Sequence, residues 1–256
     1  MDHAIISPIK YLSQLNRQFG LGLHICYVDL AHAHKQYRDF YRTVSKRGET
    51  VLLDYSYKTP RDTPLHGGIV RIKPVIEYIS PKGVILPDSD LHLKKTVQSA
   101  EDTISFLKRQ IGNIPVIGMI QGISEEQYSK CLNRYMDLMN IHPFMGLCLP
   151  SSMEKILPRH TFITEVYQPG EFGLPLYMSD IFDGLREVST VQAHTGIQTN
   201  LIEGGWSSLP LRLAYAGRSL PDVGIVRPSP DPMTFLEDYI PELLVENLDR
   251  YIGVYS

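Results

Sequence analysis

The sequence predicts an α/β protein, a (β/α)8 TIM barrel forming a single domain over residues 1–256. Three observations carry that expectation. Eight apolar runs of strand length alternate with segments of helical periodicity. A length of 256 residues suits eight such units. Three of the early runs stop on polar side chains, Asp54, Asp88 and Gln121, which parallel strands would bring to one face. A doubly wound open sheet is the alternative, because periodicity does not distinguish a closed sheet from an open one. No linker, low-complexity segment or fixed-period repeat divides the chain.

Residues 22–29 (Gly-Leu-His-Ile-Cys-Tyr-Val-Asp) read as strand one, and 35–47 as a helix with cations at helical spacing. Strand two is 50–54, followed by 69–79 with Ile69, Ile72, Val75, Ile76 and Ile79 in a helix-compatible pattern. Strand three is 83–87; Val97, Ile104, Phe106 and Leu107 belong to the helix after it. Strand four is 115–120, and Ser124 with Glu126 and Gln127 close behind marks the start of a helix over 125–139. The second half alternates less cleanly. Strands five to eight are expected at 144–149, 161–166, 191–197 and 223–226, with helices near 177–188, 207–217 and 232–250.

Hydrophobic residues make up 43% and charged residues 21%, the composition of an ordinary globular protein. No run approaches the roughly 20 apolar residues that cross a bilayer, and the N-terminus lacks a secretory leader; no membrane partner and a cytoplasmic location are expected. Cys26, Cys131 and Cys148 form neither a disulfide framework nor a Cys-x-x-Cys zinc knuckle. Cys26 and Cys148 lie in apolar runs and read as core. The net charge of −3 does not advertise a nucleic-acid binder, although a local basic face can serve that purpose.

Asp54 and Asp88 at strand ends suit a nucleophile, a general base or polar anchors for a substrate; either alone also suits a cap on the following turn. Gln121 is no proton-transfer group, but its amide reads the edge of an amide-like ring such as a purine. A competing metal reading starts from Asp29, His32 and His34 past strand one and Asp88, Asp90 and His92 past strand three. The His-x-His pair resembles that of amidohydrolases, a metal-dependent hydrolase family. Half of that family's ligand set is absent here: the later strand ends offer Gln121, Cys148-Leu149-Pro150 and Glu165, with His194 and Asp222 the only substitutes. No metal and no other cofactor is expected.

Lys35, Arg38, Arg42 and Lys46 put four cations on one helical face, with Tyr37, Tyr41 and Arg47 beside them. Such a face can track a phosphate backbone or simply be a solvated outer surface. Lys94, Lys95 and Lys108 are weaker hints. A lone histidine such as His194 in a strand-to-loop turn is more often structural than catalytic. Gly204-Gly205-Trp206-Ser207-Ser208 brings no phosphate-loop lysine and reads as a cap for the next helix.

Taken together, these strand ends resemble the tRNA-guanine transglycosylase superfamily, barrels that exchange guanine for a 7-deazaguanine. The resemblance rests on Leu52-Leu53-Asp54-Tyr55-Ser56-Tyr57, Val84-Ile85-Leu86-Pro87-Asp88, Gly118-Met119-Ile120-Gln121-Gly122 and Phe144-Met145-Gly146-Leu147, in family order over about residues 50–150. It implies that Asp88 and Gln121 hydrogen-bond the base, with Gly122 beside them. Gly146 would lend backbone contacts, Tyr57 would stack on the base, and His194 would contact the substrate. Asp54 would act in proton transfer or base binding. The implied chemistry is a double displacement through a covalent Asp intermediate, that of a pentosyltransferase.

The tRNA enzymes carry a Cys-rich zinc site near the C-terminus, whereas this chain has no cysteine after Cys148. That departure and the compact length point to the DNA-modifying (DpdA-like) branch of phages and bacteria, with no zinc subdomain. The implied partners are DNA, with tRNA the lesser alternative, and a 7-deazaguanine base of the preQ0 type; homodimers or partner subunits occur in the superfamily. If the protein is phage-encoded, its location is the host cytoplasm. Asp222 stands at family-like spacing for the nucleophile, yet strand eight as read here puts it before the strand, with Arg227 at the closing position. A non-catalytic base- or nucleic-acid-binding paralogue is therefore the second expectation, and a metal-dependent hydrolase the remote third.

Overall fold

The computed structural model describes residues 22–54, 65–168, 173–179, 190–191, 193–194, 201–203 and 242–253, with isolated helical positions at 9, 15, 17 and 18. Seven strands form one parallel sheet: β1 (Leu23–Tyr27), β2 (Thr50–Asp54), β3 (Gly83–Ile85), β4 (Val116–Met119), β5 (Phe144–Leu149), β6 (Leu176–Met178) and β7 (Leu201–Glu203). Between them run α1 (Val28–Ala33), α2 (Lys35–Lys46), α3 (Leu65–Ile79), α4 (Leu93–Gln110), α5 (Glu125–Met139) and the short α6 (Arg159–Thr161), which widens into a π-helix over Phe162–Tyr167. The helix α7 (Glu242–Gly253) comes last.

Each strand pairs with the next in the chain, β1 through β7, without reversal. A doubly wound sheet changes direction at a switch point, so the described strands are singly wound. They curl as a parallel half-barrel compatible with a TIM-like fold. Register places Tyr27 beside Asp54 and Met119 beside Cys148, aligning the C-terminal ends on one rim.

Both faces of the sheet are covered, which is why its strands read as nearly continuous apolar runs. Val51, Leu52 and Leu53 are fully buried; burying such a side chain stabilises the fold by about 1.5–3 kcal/mol. On the helix side, Cys26 faces Tyr37 and Tyr41 of α2, and the Tyr27 N–H donates to Tyr37 Oη at 3.1 Å. Tyr135 of α5 donates to the Met119 carbonyl at 2.9 Å, tying that helix to β4. On the inner side, a Cβ at Gly83 would lie 2.3 Å from Met145 Sδ and 3.4 Å from Leu52 Cδ2, so neighbouring strands fill the space a side chain would take.

Several expectations hold at residue level. Strands two and five and the helix 125–139 fall where expected, and Ser124 Oγ accepts the Gln127 N–H at 3.3 Å as the cap of α5. Others are corrected. Strand one ends at Tyr27, and Val28 and Asp29 open α1. The segment 161–166 is helical, not a strand. Phe162, Ile163 and Tyr167 are buried while Thr164 and Glu165 are exposed, the face of a helix rather than an alternation of period two. Strand six is instead Leu176–Met178, whose Tyr177 and Met178 were expected to open a helix. Residues 191, 193 and 194 are helical where strand seven (191–197) was expected, and β7 follows at Leu201–Glu203. The segments read as the helix 207–217 and strand eight (223–226) lie outside the described residues.

Candidate functional site

Asp54 closes β2 and is half-buried. Asp88 stands three residues beyond Ile85, exposed at the rim. Gln121, two residues beyond Met119, is 1% exposed. The structure brings the second and third together: Gln121 Nε2 donates to Asp88 Oδ2 at 2.5 Å. Gln121 Oε1 accepts the Leu91 N–H at 3.0 Å, so the amide also holds the turn that carries Asp88. Leu91 lies in the left-handed region, with φ of 61°, a conformation that costs a non-glycine residue energy and persists only where surrounding contacts enforce it.

Asp54 joins them through a common neighbour. Cys148, on β5, is fully buried, and its thiol is held far above the ordinary range by burial. A hydrogen bond with Ser179 and the charge of Arg159 oppose that shift, while Asp88 and Asp54 add to it. Both carboxylates therefore act on one buried sulfur from β2 and β3, across the inside of the curl. Burial favours the neutral thiol of Cys148 over the thiolate. Cys131, behind Gln121 on α5, is likewise pushed up to about 12, mainly by burial.

Arg159 was not foreseen. Its guanidinium is fully buried, and Nη1 donates to the carbonyls of Leu149 at 3.2 Å and Ser179 at 3.0 Å, bridging the C-terminal ends of β5 and β6. Glu154 accepts its backbone N–H at 2.8 Å and lies 3.7 Å from its Nε. The rim thus carries carboxylates on the β2–β3 side and a buried cation on the β5–β6 side. The only sequence signal for Arg159 is a cation set among the apolar residues Ile156, Leu157, Phe162 and Ile163.

The two glycines of the expected site have packing reasons. A Cβ at Gly122 would lie 2.8 Å from Gln127 Cβ, so glycine lets the strand end meet the first turn of α5. A Cβ at Gly146 would lie 2.5 Å from Tyr177 Cε2 and 2.6 Å from the Pro175 carbonyl. The Tyr177 ring takes that space, an aromatic at the inner wall that the sequence reading placed in a helix. His194 donates from Nδ1 to the Thr190 carbonyl at 2.8 Å, and its ring lies 5.0 Å from that of His160. Tyr57 and Asp222 lie outside the described residues.

The cations of α2 are only partly available. Arg38 and Arg42 both lie over the Tyr78 ring of α3, at 4.8 and 4.4 Å from its centroid. Lys35 pairs with Asp39 at 2.5 Å, and Asp39 also accepts the Tyr78 hydroxyl. Lys46 is exposed. Much of this face joins α2 to α3 on the outer wall.

Among the described residues, no three His, Cys, Asp or Glu side chains are grouped to share a metal ion. His32 is exposed, His34 half-buried, and Asp29 is 3.5 Å from Arg71. No described helix is long and apolar enough to cross a membrane. No family model matches the chain, and no curated protein matches it.

Proposed function

We propose that this protein is a DNA-guanine transglycosylase, exchanging guanine in DNA for a 7-deazaguanine base of the preQ0 type. One observation carries the reading: the bonded Asp88–Gln121 pair at successive strand ends, with Asp54 closing the neighbouring strand on the same rim. Guanine presents two N–H donors next to a carbonyl acceptor. A carboxylate accepts from the donors, and the second N–H of an amide whose first N–H is bonded to that carboxylate donates to the carbonyl. Asp88 and Gln121 are that complement, and the same edge is shared by 7-deazaguanines.

The chemistry is a double displacement. A carboxylate attacks C1′, its oxygen–carbon bond forms as the glycosidic bond to guanine breaks, and the bond pair leaves on the base. Asp54 takes part in the proton transfer that lets guanine depart neutral or in holding the base. The incoming deazaguanine, its ring N–H proton taken up by the group that protonated guanine, then displaces the carboxylate from C1′. Asp222 is the residue assigned to the attack. We also take the sheet to close as a (β/α)8 barrel, with an eighth strand between β7 and β1.

Incubating duplex and single-stranded DNA with the protein and preQ0, then analysing nucleosides by mass spectrometry, tests this directly. Modified deoxynucleoside is expected with the wild-type protein and its loss with Asp88→Ala. Full labelled-guanine exchange by Asp88→Ala would overturn the reading. Binding of guanine without any exchange would leave the base-binding paralogue as the better account.

A further inference from the structure

We propose that the Tyr128 hydroxyl is a specificity-determining donor of the base-binding site, reading N7 of guanine. This inference rests on the base-binding reading of Asp88 and Gln121. Tyr128 lies in the first turn of α5 and is fully buried. Its backbone N lies 3.2 Å from where a Cβ on Gly122 would stand, so it packs directly against the residue that follows Gln121. Its ring meets that of Phe162 edge-on, with centroids 6.2 Å apart. Its hydroxyl oxygen is out of contact with solvent and has no hydrogen-bond partner among the described residues. Burial pushes the phenol up to about 12, and the charge of Asp90 adds to that shift. The group is therefore a lasting donor, in the field of the turn that Gln121 holds through the Leu91 N–H.

Buried polar groups are almost always paired, and an exception calls for a reason. Other buried tyrosines here keep the rule: Tyr135 of the same helix donates to the Met119 carbonyl at 2.9 Å, and Tyr37 accepts the Tyr27 N–H. Phenylalanine at position 128 would fill the same space without an unpaired oxygen. The order of groups at the rim supplies the reason. From β3 to α5 come Asp88, Gln121 and then Tyr128. Along the guanine edge come the two N–H donors, the carbonyl and then the N7 lone pair, which accepts one hydrogen bond. A 7-deazaguanine presents a carbon in place of N7. Asp88 and Gln121 thus read the edge that both bases share, and Tyr128 reads the atom that differs, favouring the base to be removed.

Equilibrium dialysis of the full chain with radiolabelled guanine and with 7-deazaguanine tests this, on the wild type, Tyr128→Phe and Asp88→Ala. The wild type should bind guanine about three- to tenfold more tightly than 7-deazaguanine, the worth of one neutral hydrogen bond. Tyr128→Phe should lose that preference by weakening guanine alone. The hydroxyl has no bond to lose in the free protein, so the urea midpoint of Tyr128→Phe should be unchanged or raised.

Equal affinity of the wild type for the two bases, or a preference that survives in Tyr128→Phe, overturns the proposal while leaving the base-binding reading intact. A lowered midpoint, or failure of Tyr128→Phe to fold, would show the hydroxyl already bonded before guanine arrives and overturns it equally. Binding of neither base by the wild type, or unchanged binding of both by Asp88→Ala, overturns the base-binding reading and takes this inference with it.

Discussion

A guanidinium with no solvent exposure must find its acceptors inside the protein. Arg159 finds them at the ends of two strands, the carbonyls of Leu149 and Ser179, with Glu154 as its carboxylate partner. Truncating it takes the side-chain donor from the Ser179 carbonyl, leaves the Leu149 carbonyl with the Ser179 N–H, and removes the cation beside Glu154. Arg159→Ala should destabilise the protein toward the lower end of the about 3–5 kcal/mol typical of breaking a buried pair, because Glu154 keeps 17% exposure. The urea midpoint at unchanged slope measures this; a loss below about 0.5 kcal/mol, the range of ordinary surface substitutions, would argue against the role. Asp54, Asp88 and Gln121 were legible because each ends or follows a local apolar run. Arg159 was not, since its acceptors come from residues 10 and 20 positions away and are backbone atoms of no particular residue type.

At the scale of elements, the first half of the chain was read more accurately than the second, for a physical reason. Thr50–Asp54, Phe144–Leu149 and Glu125–Met139 combine a clear period with clear stops, Gly48 before β2 and the Ser124 cap before α5. The segment Phe162–Tyr167 has apolar, β-branched residues that suit a strand, and only its buried face shows the helical spacing. Leu176–Met178 is too short for any period to appear. The basic helix α2 was read correctly as an element, but one face has two uses. Lys46→Ala should reduce the slope of log affinity for DNA against log salt by about 1 if Lys46 contacts a phosphate, with the melting temperature unchanged. Arg42→Ala should also lower stability, by about 0.5–1 kcal/mol for the lost contact with Tyr78. Salt-titrated binding and thermal melts separate the two, and identical behaviour of both variants would contradict the division.

For the whole molecule, strand order bears on how the sheet ends. The Thr50 N–H donates to the Gly22 carbonyl, so the alternation of a parallel ladder turns the amides of Leu23 and Ile25 away from β2. In a closed barrel those two amides meet an eighth strand, and native-state hydrogen exchange should find them protected to the level of β2. Rapid exchange at both positions would mean that β1 is an edge. The order β1 to β7 has another consequence, for assembly. Every strand meets its chain neighbour first, across a single βα crossover, so the sheet can grow by accretion, one unit laid against the last. A chain built this way does not have to hold an early strand in reserve for a late partner among β1 to β7. In a closed barrel, the joining of the two most distant strands would bear the largest loop-closure entropy. Folding intermediates should therefore be arcs of the sheet, and the rim that carries Asp54, Asp88 and Gln121 would be formed in the arc of the first four strands.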